Sequence, residues 1–167
     1  MKMSRDAAIR CGTNQKQNSP VANPCSQSQT TMNNFLLNAL KARHAVISKD
    51  ANDSISIEIL MMPFLFNQEL VDQSIRLDGI ALPSDVLRDL AGKSFEFPIN
   101  PVEGYIDGSI YLENRHQPVD VTLLSFSQSR DGKLNLIVKG IYMFDLGEYG
   151  QFSQPFTLAA IISSCAV

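Results

Sequence analysis

Tryptophan is absent from this 167-residue chain, and histidine and cysteine are scarce, with two and three copies. That scarcity narrows the available chemistry. Zinc sites need several His or Cys ligands at close spacing, whereas Cys11, Cys25 and Cys165 show neither a CxxC spacing nor the even count of a disulfide framework. No metal and no cofactor are expected, and a reducing cytoplasm is the expected compartment. Long apolar runs are missing as well. The richest, Ile59 to Phe66, contains Pro63 and falls far short of the roughly 20 residues of a membrane helix, so the chain reads as soluble, with no membrane partner. Behind Met1 the sequence turns polar instead of entering the apolar core of an export signal. It contains no phosphate-binding loop, dinucleotide fingerprint, zinc-protease helix, nucleophile elbow or calcium loop, which weighs against an enzyme without excluding one.

What is present is enough apolar material for one core. Apolar residues make up 44% and charged residues 19%, a balance that suits a globular domain folding without staples. The charge is unevenly spread. Residues 1–31 carry four basic and one acidic side chain, a net +3, while residues 32–167 carry ten basic and sixteen acidic ones, a net −6. An acidic body repels polyanions, so nucleic acid is not expected as a partner, and a basic protein would be steered towards it. Residues 11–31 are rich in Asn, Gln, Ser and Thr without hydrophobic periodicity. Two readings stand for residues 1–31: a disordered polar arm, or an upstream extension before a natural start at Met32. Residues 32–167 form the single globular domain.

Within that domain, Met32, Phe35, Leu36, Ala39 and Leu40 fall on one helical face, which predicts an amino-terminal helix to about residue 43. Arg43 to Ser48 also reads as a strand joined through residues 49–53 to its successor. Ser54 to Met61 alternates as a half-buried strand, with Ile55, Ile57, Ile59 and Met61 on one face. Met62-Pro63-Phe64-Leu65-Phe66 breaks the alternation, either as a lip for a partner or, the favoured reading, as a hydrophobic plug at one end of the core. Asn67 to Gln73 reads as a polar helical turn. A strand over Ser74–Leu82, a short helix over Asp85–Ala91 facing inward through Val86, Leu87, Leu90 and Ala91, and a brief strand over Ser94–Phe97 follow. Tyr105–Glu113, Val119–Ser127, Leu134–Phe144 and Phe152–Ile162 then form a meander, because connectors of about four to seven residues are too short for parallel crossovers. The expected fold is α+β but mostly β: a curved antiparallel sheet or small barrel of about seven strands, with the two helices packed on it.

Candidate functional residues lie in and beside this meander. His116, near Glu113 and Asp120, has the composition of a base with an orienting carboxylate, though a polar hairpin tip is the plainer reading. Asp107 and Tyr111 share the polar face of one strand; turned outward they are solvated surface, turned inward they line a pocket. Asp145, Glu148 and Tyr149 lie in a glycine-bearing connector of a composition common in protein recognition. Leu134 to Phe144 is apolar on both faces, which marks a central strand. The leading functional expectation is a non-enzymatic protein-binding module of the inhibitor, immunity or adaptor type, acting through an acidic surface and loops, with another protein as partner. The alternatives are a small barrel holding an apolar or amphipathic ligand, and a hydrolase-like enzyme built on His116.

Overall fold

The computed structural model describes residues 39–49, 53–147 and 150–164. Ten strands and one short helix occur among them: β1 (Ala42–Lys49), β2 (Ile55–Met61), β3 (Phe64–Phe66), β4 (Glu69–Val71), β5 (Ser74–Ile80), α1 (Leu87–Leu90), β6 (Ser94–Glu96), β7 (Asp107–Leu112), β8 (Arg115–Gln128), β9 (Leu134–Asp145) and β10 (Gln151–Ser164). Seven of them close into a barrel in the order β8-β7-β5-β2-β1-β10-β9, with β9 pairing back onto β8 and β6 added outside β8.

Antiparallel pairing governs every joint but one. β1 runs parallel to β10, with Ala45 opposite Ile162 and Ile47 opposite Ser164. Residues 31–38 of the expected amino-terminal helix lie outside the described residues; Ala39 is helical, but the predicted end near residue 43 does not hold, because Ala42 and Arg43 already belong to β1. The alternative strand reading of Arg43–Ser48 is the one observed. Pairing decides the matter: β1 registers along β2 from Ala42 opposite Met61 to Lys49 opposite Ile55, and a strand so bonded on both sides overrides a weak helical periodicity.

Side chains of alternate residues fill the interior, as a barrel of this size requires. Ile55, Ile57, Ile59, Met61, Ile75, Leu77, Ile110, Leu112, Leu136, Val138 and Phe144 are all buried. β8 keeps the alternation only by means of a bulge between Val121 and Leu123, after which Leu124 and Phe126 point inward. The carbonyl of Thr122 in that bulge accepts from the Phe97 amide at 3.1 Å, tying down the chain after β6. Opposite the bulge stands Gly140. A Cβ there would strike the Asp120 carbonyl oxygen and come within 2.9 Å of the Phe156 ring, so only glycine lets β8 and the aromatic ring approach this closely. The Phe156 ring in turn stacks on Tyr142 at 4.2 Å.

Two-residue turns account for two departures from expectation. Glu113 and Asn114 both have positive φ, the geometry of a type I′ turn whose twist matches the flanking strands, so β8 starts at Arg115 and the expected connector 114–118 is mostly strand. Asn67 and Gln68 do the same, and a β3–β4 hairpin replaces the helical turn expected over 67–73. The short helix is real but reduced to four residues, with Val86 extended before it and exposed rather than inward. Leu90 is fully buried, and Gly92 at φ +77° stops the helix.

Tyr142 is the one buried side chain among the described residues whose polar atom has no hydrogen-bond partner. Burial pushes its phenol well above its ordinary value of 10.0, because charge is disfavoured in the apolar interior. The folded state therefore holds this proton to a higher pH than the unfolded chain does, and stability present below pH 10 declines as pH rises beyond it. Tyr142→Phe is expected to raise stability at neutral pH by ~1 kcal/mol, since an unpaired buried hydroxyl is lost, and to flatten the alkaline decline. Urea unfolding between pH 7 and 11 checks both; a clearly destabilised variant with an unchanged alkaline slope would contradict them.

Candidate interaction face at one end of the barrel

β2 and β5 continue beyond the barrel as β3 and β4, and the continuation folds across one end as an arm. Pro63 lies in the bend, where a residue without an amide hydrogen interrupts the ladder at no cost in lost bonds. The Met62 amide instead donates to the Lys41 carbonyl at 2.7 Å, and Met61 donates to Gln73 at 3.1 Å. Period-2 alternation then divides the arm's faces. Phe64 and Phe66 are 5% and 4% exposed and close the barrel end, whereas Leu65 and Leu70, directly opposite one another in the hairpin, are 54% and 71% exposed. Met62 beside them is also exposed. The lip and plug readings of Met62 to Phe66 thus apply to alternate residues of one segment.

Two further turns meet the arm at this end. At its tip, the Asn67 side-chain amide donates to the Glu113 carboxylate, fastening the arm to the β7–β8 turn. The β9–β10 connection is held by Asp145, whose carboxylate accepts from the Gly147 amide at 3.0 Å and the Gln151 side chain at 2.9 Å. Those bonds, Gln151 first, hold its carboxyl below the ordinary carboxylate range, with a smaller contribution from the Arg115 charge. The Arg115 guanidinium lies against Gly147, whose φ of +64° is the left-handed conformation that favours glycine. Gln117 completes the junction. It is 1% exposed, and its amide exchanges two hydrogen bonds with the Asp145 backbone, 3.0 Å to the carbonyl and 2.7 Å from the N–H. β8 pairs with β9 only from Val119 onward, so a side chain supplies the pairing that the neighbouring strand would otherwise give.

His116, Tyr111 and Asp145 therefore come together at one end. His116 stands on β8 opposite Tyr111, exposed, with its ring edge on the tyrosine at 5.5 Å. Glu113 is engaged with Asn67, and among the described residues no carboxylate hydrogen-bonds to His116, so the geometry of a base with its orienting acid is missing. Asp107 is not part of the group. It lies at the other end of β7, directly opposite Asp78, which pairs with Arg76 at 3.5 Å. Asp107 and Tyr111 both point to solvent, so the polar face of β7 is outer surface. Glu148 and Tyr149 lie outside the described residues. Among the described residues no group of three or more His, Cys, Asp or Glu is placed to hold a metal, and no helix is long and apolar enough to cross a membrane.

Sequence reasoning missed Leu70, because Glu69 and Asp72 make its surroundings read as polar, and Gln117, because its partner lies on another hairpin. The chain matches no known family model, no curated protein and no solved structure in comparison with each.

Gln117→Leu keeps the side chain's bulk but leaves both Asp145 backbone groups unpaired. The expected cost is about 1–3 kcal/mol in urea unfolding; a change below about 0.5 kcal/mol would show that Gln117 does not hold the junction.

Proposed function

We propose that this protein is a non-enzymatic protein-binding module of the inhibitor, immunity or adaptor type, and that it receives its partner at the arm end of the barrel. One observation carries the reading: Leu65 and Leu70 face each other on the outer side of the arm, 54% and 71% exposed, although burying either would stabilise the chain by roughly 1.5–3 kcal/mol. Exposed apolar anchors with a polar rim are the usual composition of an interface centre. The arm's own charges are acidic. Glu69 and Asp72 flank Leu70, and the domain as a whole carries a net −6, which favours a basic partner and fast, salt-sensitive association. Cysteines without paired spacing suit a reducing cytoplasm as the place of action.

Two features support this reading over its alternatives. The interior is lined by one continuous cluster of buried apolar side chains, which favours a core that holds the fold over an internal small-ligand site. His116 is exposed and bonded to no acid among the described residues, which favours the binding reading over the hydrolase one.

Leu65→Ser combined with Leu70→Ser is expected to reduce capture of the partner from native lysate at least tenfold while leaving the melting temperature within about 3 °C, since neither side chain supports the core. The wild-type capture should weaken as salt is raised. Capture that is equal for both proteins, or a wild type that recovers only itself, would overturn the proposal.

A further inference from the structure

At the barrel's opposite end, α1 leaves a space against the start of β9 and the finish of β10. It measures about 540 Å3 and is open to solvent, a volume within the usual range of small-molecule sites. Leu87 from α1 and Ala91 just after it line the cavity with the buried Leu134 and Ile162 of the barrel, and the exposed Arg88 and Lys133 line it as well. Their chemistry is unlike the rest of the molecule. Residues 32–167 carry sixteen acids against ten bases, yet among the described residues lining this cavity there are two cations and no carboxylate.

Each cation has an acidic neighbour at the surface, a loose contact for Arg88 and a hydrogen bond for Lys133. Arg88 Nε is 3.6 Å from Asp89 and Lys133 Nζ is 3.2 Å from Asp131, in pairs whose side chains are largely exposed. Exposed ion pairs of this kind are weak and easily exchanged. An incoming anion can recruit both cations without breaking a buried bond. The apolar lining then selects what the anion is attached to: apolar side chains reward a hydrocarbon and give a hydrophilic ion such as free phosphate nothing in return for its lost hydration.

We infer that this cavity binds an amphipathic monoanion of the medium-chain carboxylate class, its hydrocarbon on Leu87, Leu134 and Ile162 and its carboxylate between Arg88 and Lys133. The site is separate from the arm end, so it does not depend on the protein-binding reading; it places a small-molecule input at the face the partner does not occupy.

Three probes of equal chain length separate the contributions: decanoate, decan-1-ol and decylammonium, each titrated below its aggregation threshold into the isotopically labelled full chain. Amide and methyl shifts at Leu87, Leu134 and Ile162 should saturate with decanoate at least tenfold more tightly than with the alcohol, and decylammonium should bind most weakly. Arg88→Gln with Lys133→Gln removes two exposed charges and leaves the fold intact, which circular dichroism verifies. In that variant decanoate should fall to the affinity of the alcohol, while the alcohol is unaffected. Absence of saturable shifts at these residues, equal decanoate affinity in the double variant, or shifts centred elsewhere would each overturn the inference.

Discussion

Closure with an odd number of strands is the constraint on which this fold depends. Strands around a ring can alternate in direction throughout only if their number is even; seven forces at least one parallel neighbour. The chain meets that requirement once, where its first barrel strand lies beside its last, Ala45 to Ile47 along Ile162 to Ser164. Every other joint is an antiparallel pairing. Without the β1–β10 joint the barrel would be an open sheet whose two edges lay at those strands, with Ala45, Ile47 and Ile162, each at most 3% exposed, uncovered along them.

Closing the wall makes the two ends the places where the molecule differs from a generic barrel. At one end the overlong β2–β5 hairpin bends over the opening, and its two faces do different work: Phe64 and Phe66 complete the core while Leu65 and Leu70 remain outside. Asn67 to Glu113 and Gln117 to Asp145 tie the arm and the turns into one face, so side chains presented there are held in place, which lowers the ordering cost of the binding proposed for this face. At the other end a four-residue helix replaces the arm. It covers the core through Leu90 but leaves a cation-lined hollow beside it. Exposed leucines beside Glu69 and Asp72 at one end, and a hollow lined by Arg88 and Lys133 at the other, distinguish the two ends.

Much of the wall was legible in the sequence. Ile55, Ile57, Ile59 and Met61 alternate without interruption, and β7 shares that clarity because it has one buried face and strong turn signals at its ends. β9 departs from expectation: apolar on both faces in the sequence, it buries one and leaves Met143 of the other exposed, because the outer side of the barrel wall is not covered there. The outward facing of Asp107 and Tyr111 also follows from the apolar alternation of Ile106, Ile110 and Leu112. β1 was legible only as one of two readings, since Ala45 and Ile47 are its deepest residues and two positions do not distinguish a strand from the end of a helix. The parallel joint was not legible, because it is a relation between the chain's two ends. The meeting of His116 with the Asp145 turn depends on pairing between hairpins, and the convergence of Arg88 with Lys133 depends on α1 lying across the barrel. No local pattern encodes either. The arm's second strand is only three residues long, too short for a period to show.

The central claim is that successive residues of the arm have opposite roles, one holding the fold and the next left free of it. Equilibrium urea unfolding of Phe64→Ala and Leu65→Ala tests it most directly. The account predicts a loss of about 3–5 kcal/mol for Phe64→Ala, the cost of emptying a packed aromatic site, and a change within about 0.5 kcal/mol for Leu65→Ala, as for an exposed surface position. Comparable losses at the two positions, or the larger loss at Leu65, would contradict it.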